Sequence, residues 1–341
     1  MRIHRNLVLS GVAAFALPML TACSDDEDEG RGAGATGGVG GSAATGGQGG
    51  TSGSGGTVGS GGTGGTTGTG GTTGTGGAAG AAAMLEVQLE RVEAVGPDFV
   101  LEGWVMVNGM PESSGRFDIE TGRTSYEFSL TEAQASASAF VLTLEPAQGD
   151  DPAPSMTKLL AGDFSDGTAT LSIAHEAALG DDFQSAAGRY LLETPTSSVT
   201  ADYNQGVWFL DPSSTPPAAS LNLPELPEGW TYEGWVVGPS GPVTTGRFRD
   251  SGAADSDGAG PAAGSEPAPP FPGQDFVDPP TVLTEGGYQV VVTLEPEPDN
   301  SPMPFFFKPL SDAVEDVQPP DTQPLTNDAE TAPAGTATIS P

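Results

Sequence analysis

Three short blocks occur twice in the same order, and any fold for this chain has to accommodate the repetition. Glu102-Gly103-Trp104, Gly115-Arg116-Phe117 and Thr143-Leu144-Glu145-Pro146 return as Glu233-Gly234-Trp235, Gly246-Arg247-Phe248 and Thr293-Leu294-Glu295-Pro296. Glu102 to Glu233 and Gly115 to Gly246 each span 131 positions, and Thr143 to Thr293 spans 150. The second spacing continues through Pro152/Pro302, Pro154/Pro304, Lys158/Lys308 and Leu160/Leu310. Lys158 and Lys308 are the only lysines in the chain, so their equivalence is hard to ascribe to chance. The pattern predicts an internal duplication, with repeat 1 over 84–165 and repeat 2 over 221–310, joined by connecting strands over 166–220.

The local pattern is that of short strands. Leu85, Val87 and Leu89 alternate with Glu86, Gln88 and Glu90, a period of two. Phe140, Leu142 and Leu144 form one apolar face, matched by Val290, Val292 and Leu294 in the second copy. Further strands are predicted over 99–107, 125–130, 169–173, 189–193 and 206–210, with Gly, Pro, Asp and Asn clusters between them. Helical periodicity is nearly absent, and 131–138 has room for one turn. The fold class is therefore all-β, with two tandem β-sandwich-like repeats that pack on each other. The copies differ mainly by an insertion over 250–280, rich in Pro, Gly, Ala and Asp, which reads as a long surface loop. The acidic, Pro-rich segment 311–341 reads as a disordered tail.

Charge and rare residues exclude whole classes of function. The 341 residues carry 45 acids against 11 basic groups, a formal charge of −34. Such a surface does not suit nucleic-acid phosphates or anionic lipid, but it can attract divalent cations. One cysteine permits no intrachain disulfide, and two histidines, one of them His4 in the leader, permit no multi-His zinc site.

The amino-terminal part reads as an address. Arg2 and Arg5 precede an apolar run, Leu7 to Leu20, that is too short for a comfortable membrane span. Its end, Leu20-Thr21-Ala22-Cys23, resembles the lipobox of bacterial lipoproteins. That resemblance implies a signal peptide over 1–22, cleavage before Cys23 and acylation of Cys23 as the membrane anchor. Residues 23–83 then comprise the acylated cysteine, the acidic patch Asp25–Glu29 and a Gly/Thr-rich linker. The linker cannot bury enough apolar surface to offset chain entropy. Its 54 residues from Gly30 to Ala83 would reach roughly 40 Å as a flexible tether. The acidic patch is either a solvated spacer or, by resemblance to such tags, an outer-surface signal. The predicted location is the cell envelope, at the outer membrane or the surface of a diderm bacterium.

Tyr232-Glu233-Gly234-Trp235, Gly241-Pro242-Val243, Gly246-Arg247-Phe248, Val292-Thr293-Leu294-Glu295-Pro296 and Ser301-Pro302 resemble, in order, the extracytoplasmic domain of anti-sigma-K factors. The likeness covers about 80 residues per copy. It implies a β-sandwich outside the membrane that senses or relays a signal, with no catalytic residues to carry over. This chain departs from the family in its doubled domain and in having lipid where the family has a membrane helix. It also has no sigma-binding helices, so only the sensory or binding half of the family's role is implied.

The repeated residues Glu102, Trp104, Arg116, Phe117, Glu145, Lys158, Glu233, Trp235, Arg247, Phe248, Glu295 and Lys308 have two readings. The aromatic pairs are core anchors or a platform for a sugar ring. The charged set is a buried ion-pair network or an acid–base pair of the glycosidase kind. Duplication favours the structural reading, because catalysis would need two equivalent sites with no evident partner groups. In the insertion, Asp250, Asp255 and Asp257 partly resemble a calcium loop, with Asp275 or Asp278 as further oxygens, though a solvated acidic loop explains them as well. No other cofactor and no catalytic residue is predicted. The expected partners are the membrane, through Cys23, and an envelope protein or glycan. The function predicted is a non-enzymatic binding or sensory module, with a structural or calcium-stabilised surface lipoprotein, or a glycan hydrolase, as alternatives.

Overall fold

Period-two alternation of apolar residues becomes strand after strand. The computed structural model describes residues 82–149, 151–299 and 301–341. Cys23, the leader, the acidic patch and the Gly/Thr-rich linker lie outside the described residues. The first half provides β1 (Ala83–Glu90), β2 (Phe99–Val107), β3 (Met110–Phe117), β4 (Ser125–Leu130), β5 (Ala139–Pro146), β6 (Lys158–Asp163) and β7 (Thr168–Ser172). The middle provides β8 (Gly188–Tyr190), β9 (Val207–Trp208), β10 (Leu210–Asp211) and β11 (Ala218–Ala219). The last part provides β12 (Trp230–Gly238), β13 (Gly241–Phe248), β14 (Gly273–Gln274), β15 (Gln289–Pro296), β16 (Leu310–Ala313), β17 (Gln323–Asn327) and β18 (Ala334–Ser340).

Two antiparallel sheets carry the two repeats. One has the order β3-β2-β5-β6-β7-β18-β1-β4, and the other β13-β12-β15-β16-β17-β8. The duplicated unit is the four-stranded run β3-β2-β5-β6, which reappears as β13-β12-β15-β16. The larger sheet curls so that its two outer strands meet. Phe117 on β3 packs on Tyr126 and Phe128 of β4, with ring centroids 4.4 and 5.5 Å apart, giving a barrel-like wall. Two-residue ladders β9–β14 and β10–β11 form two further small sheets.

The repeated hairpins explain the repeated glycines. In both copies the register slips beside the Glu-Gly-Trp block, between Gly103 and Trp104 and between Glu233 and Trp235. Gly115 and Gly246 on the opposing strands sit at φ +145° and +102°, the conformation a bulge demands and side chains resist. The Gly-Arg-Phe motif is thus backbone geometry first.

One continuous buried cluster joins the sheets. Leu85, Leu101, Phe140 and Leu142 of the larger sheet belong to the same core as Tyr232, Val292, Leu294 and Leu310 of the smaller one. Each such side chain contributes about 1.5–3 kcal/mol when fully buried. The two repeats therefore share a core, as expected of packed copies.

Two expectations are corrected. Segment 311–341 is not a disordered tail: it completes β16 and forms β17 and β18. β18 lies between β7 and β1, paired with both, so the final strand returns to the sheet of the first repeat. Its Ala334-Gly-Thr-Ala-Thr-Ile-Ser340 run is weakly apolar, but Ala337 is small enough to be fully buried there, and without it β1 and β7 would expose unpaired edges. The insertion over 250–280 is likewise more than a surface loop. Ala259, Phe271, Gln274, Asp275 and Val277 are buried, and Phe271 packs with Trp208 and Leu191 in a small second core. The connecting region 166–220 is divided, with β7 in the larger sheet and β8 in the smaller.

Candidate functional site

The duplicated polar residues meet inside each repeat in the same hydrogen-bonded chain. Trp104 Nε1–H donates to Thr143 Oγ1 at 2.9 Å, and Trp235 Nε1–H to Thr293 Oγ1 at 2.8 Å. Each threonine hydroxyl then donates to a glutamate two residues on, Thr143 to Glu145 and Thr293 to Glu295. The same glutamate oxygen accepts a backbone N–H, from Ser155 at 2.9 Å and from Phe305 at 2.8 Å. Cross-strand, Ser113 donates to Glu102 and Thr244 to Glu233. Strand pleating causes this convergence, since Trp104, Glu102, Thr143 and Glu145 follow one another along adjacent, registered strands.

The sugar-platform reading of the tryptophans does not fit, because Trp104 is 4% and Trp235 2% exposed. Phe248 is buried against Tyr232 and Phe209, and Phe117 is half-buried on β4. Glu102, Glu145, Glu233 and Glu295 are all 5% exposed or less, so no glycan reaches them. Lys158 and Lys308 stand outside the network: neither makes an ion pair with Glu145 or Glu295 among the described residues. Each is half-buried at the rim of a different cavity.

The two copies diverge at one point. In repeat 1, Arg116 Nε lies 3.4 Å from Glu102 Oε2. Arg116 also donates to the Pro146 backbone carbonyl, and in repeat 2 Arg247 donates to that of Asp299, at 3.1 Å. The Asp299 carboxylate joins Glu233 and Glu295, with one oxygen from each of the three within 4.8 Å of the others. Burial pushes the Glu295 carboxyl up to about 8 and that of Glu233 up to about 7, and the neighbouring acids push in the same direction. Sequence reading did not single out Asp299. The signal was available in the repeat itself, since Asp299 corresponds to Gly149 in the 150-residue register.

The insertion behaves differently from a calcium loop. Asp255 and Asp257 are brought together, but Asp250 turns away and caps its own turn through Gly252 N–H at 2.8 Å. Asp255 Oδ2 accepts from Gly273 N–H at 2.8 Å. Burial pushes the Asp255 carboxyl up to about 8, with Asp257 adding to the effect. Asp275 is fully buried and accepts from Trp208 Nε1 at 2.7 Å and Thr196 N at 2.8 Å, which ties the insertion to the core.

A surface groove of about 460 Å³ opens in repeat 1. Trp104, Met106, Val141 and Pro154 contribute apolar surface, while Lys158, Asp163, His175 and Glu176 supply charge. His175 Nε2 lies 3.6 Å from Asp163 Oδ2, and its Nδ1 accepts from Ala177 N–H at 3.1 Å, so the imidazole is held on both sides. No hydroxyl nucleophile is hydrogen-bonded to it among the described residues. Compared with protein-family models, with curated proteins and with solved structures, the chain matches none.

Proposed function

We propose that the chain is a lipid-anchored, non-enzymatic binding or sensory module of the cell envelope, held through acylated Cys23 at the outer membrane or surface of a diderm bacterium. In this reading it is related to the sensory half of anti-sigma-K factors. The anchor rests on the Leu20-Thr21-Ala22-Cys23 motif after the apolar run. The observation that carries the binding reading is the division of labour between buried and exposed polar groups. The duplicated carboxylates are consumed in the core, which leaves recognition to the apolar groove floored by Trp104, with Lys158, Asp163, His175 and Glu176 around it. A partner with an apolar segment and mixed charge, a protein or a glycan of the envelope, fits such a surface.

The test is photo-crosslinking in intact cells, with a photoreactive residue at the exposed position 176 and fatty-acid labelling of the same chain. The reading expects lipid incorporation that is lost in Cys23→Ser, and a discrete crosslinked envelope species lost with Lys158→Glu. Absence of lipid on the wild-type chain removes the anchor. An unchanged crosslink in Lys158→Glu removes the groove.

A further inference from the structure

We infer that Glu233, Glu295 and Asp299 form a site for a hard divalent cation of the calcium class in repeat 2. This inference is independent of the anchor and of the groove. The starting point is how the oxygens are used. Glu295 Oε1 accepts from Thr293 and from Phe305 N–H, Glu233 Oε1 accepts from Thr244, and Asp299 Oδ1 accepts from Ser301 N–H at 2.8 Å. Each carboxylate is therefore oriented by one oxygen, and the other takes no hydrogen bond among the described residues. Orientation of this kind is what ligating carboxylates receive in metal sites.

A second observation points to a ligand. Glu233 is 4% exposed, and its Oε2 is buried without any donor. The Glu233 and Asp299 carboxyls stand within hydrogen-bonding reach of each other, though neither oxygen can donate when ionised. Something positive has to lie between them, a proton or a cation. Asp299 is only half-buried and borders a cavity of about 330 Å³ shared with Ser301 and Lys308, which gives an ion a route in and room for water ligands.

The duplication supplies an internal comparison. Repeat 1 has the same two glutamates on the same strands, but there Arg116 lies beside Glu102 and position 149 is glycine. Glu145 Oε2 is also without a donor, but among the described residues no group of three carboxylates forms around Glu102 and Glu145. In repeat 2 the Asp299 carboxylate joins the two glutamates, and Arg247 donates to the Asp299 backbone carbonyl. Three acidic groups thus gather in repeat 2, with the Arg247 guanidinium engaged at the Asp299 backbone.

The experiment is calorimetric titration of the full chain with calcium chloride at pH 8 in 0.15 M salt, alongside thermal melting with and without calcium. One site per chain is expected, with a dissociation constant of about 10⁻⁴–10⁻³ M, typical of extracellular modules. Asp299→Gly, which copies repeat 1 at a half-exposed position, should weaken binding at least about tenfold and abolish the calcium-dependent rise in Tm. Asp255→Asn with Asp257→Asn should leave both unchanged. No heat and no Tm shift at millimolar calcium would overturn the inference. So would binding that survives Asp299→Gly, or binding that is lost only in the Asp255/Asp257 variant.

Discussion

Raising the pH in the presence of a chelator should destabilise this protein, in a window where most acidic proteins are indifferent. Glu233 and Glu295 keep their protons in the fold up to about 7 and 8, against 4.5 for an unburied glutamate. A carboxyl whose folded value is raised stabilises the fold fully below the unfolded value and loses that contribution as pH climbs through the folded one. A rise from 4.5 to about 7 is worth about 3 kcal/mol, and a rise to about 8 about 5 kcal/mol. The two groups interact, so their contributions overlap, and about 3–5 kcal/mol is the expected loss between pH 6 and 9. Exposed acids have finished ionising by about pH 6, which keeps general charge repulsion out of the window. Urea unfolding followed by tryptophan emission is suited to the measurement, because Trp104, Trp208, Trp230 and Trp235 are all 4% exposed or less. With a slope of about 2–3 kcal/mol per molar, the midpoint should fall by about 1–2 M. Glu295→Gln, which mimics the protonated form, should flatten part of the slope. Asp255→Asn should remove a comparable part, since burial pushes the Asp255 carboxyl up to about 8 as well. A midpoint that is level or rising from pH 6 to 9 would refute the protonated-core reasoning.

Other outcomes follow from the same contacts. Deleting residues 334–341 unpairs β1 and β7 together and should abolish cooperative melting; a truncated chain melting within about 5 °C of the intact one would show β18 to be dispensable. Trp104→Phe and Trp235→Phe each remove the donor to a buried threonine and should cost about 1–3 kcal/mol by urea unfolding, with similar values in the two repeats. Gly246→Ala should destabilise by more than about 1 kcal/mol in the same assay. Its φ is +102°, and a Cβ there would lie 2.4 Å from the carboxyl carbon of Asp255.

Much of the fold was legible because it is written twice. The register that links Thr143 to Thr293 and Lys158 to Lys308 marks two copies of one strand order. The strands predicted over 99–107 and 125–130 form with those bounds. β18 was not legible for a physical reason. A strand inserted between two partners takes its stability from backbone hydrogen bonds on both sides, and needs little apolar character of its own. The insertion was hidden similarly, as Gln274 and Asp275 are buried by specific hydrogen bonds that no periodicity announces. In the candidate site, duplication pointed to Glu233 and Glu295, whereas Asp299 is where the copies differ. Similarity between the repeats reports the scaffold; their disagreement locates the acidic cluster.

The pairing of β1 with β18 also decides how the folded body responds to force. Met84 stands opposite Ser340, so the start of the first strand and the end of the last emerge side by side. Tension applied between residues 82 and 341 would peel this ladder open one residue pair at a time, beginning at Met84 and Ser340. Tension between residue 82 and a point elsewhere on the body meets a different obstacle, because β1 is gripped by β4 on one edge and β18 on the other. A load along the strand then has to shear both ladders at once. The same domain is thus mechanically soft when held by its two ends and resistant when held by its amino-terminal end and its surface.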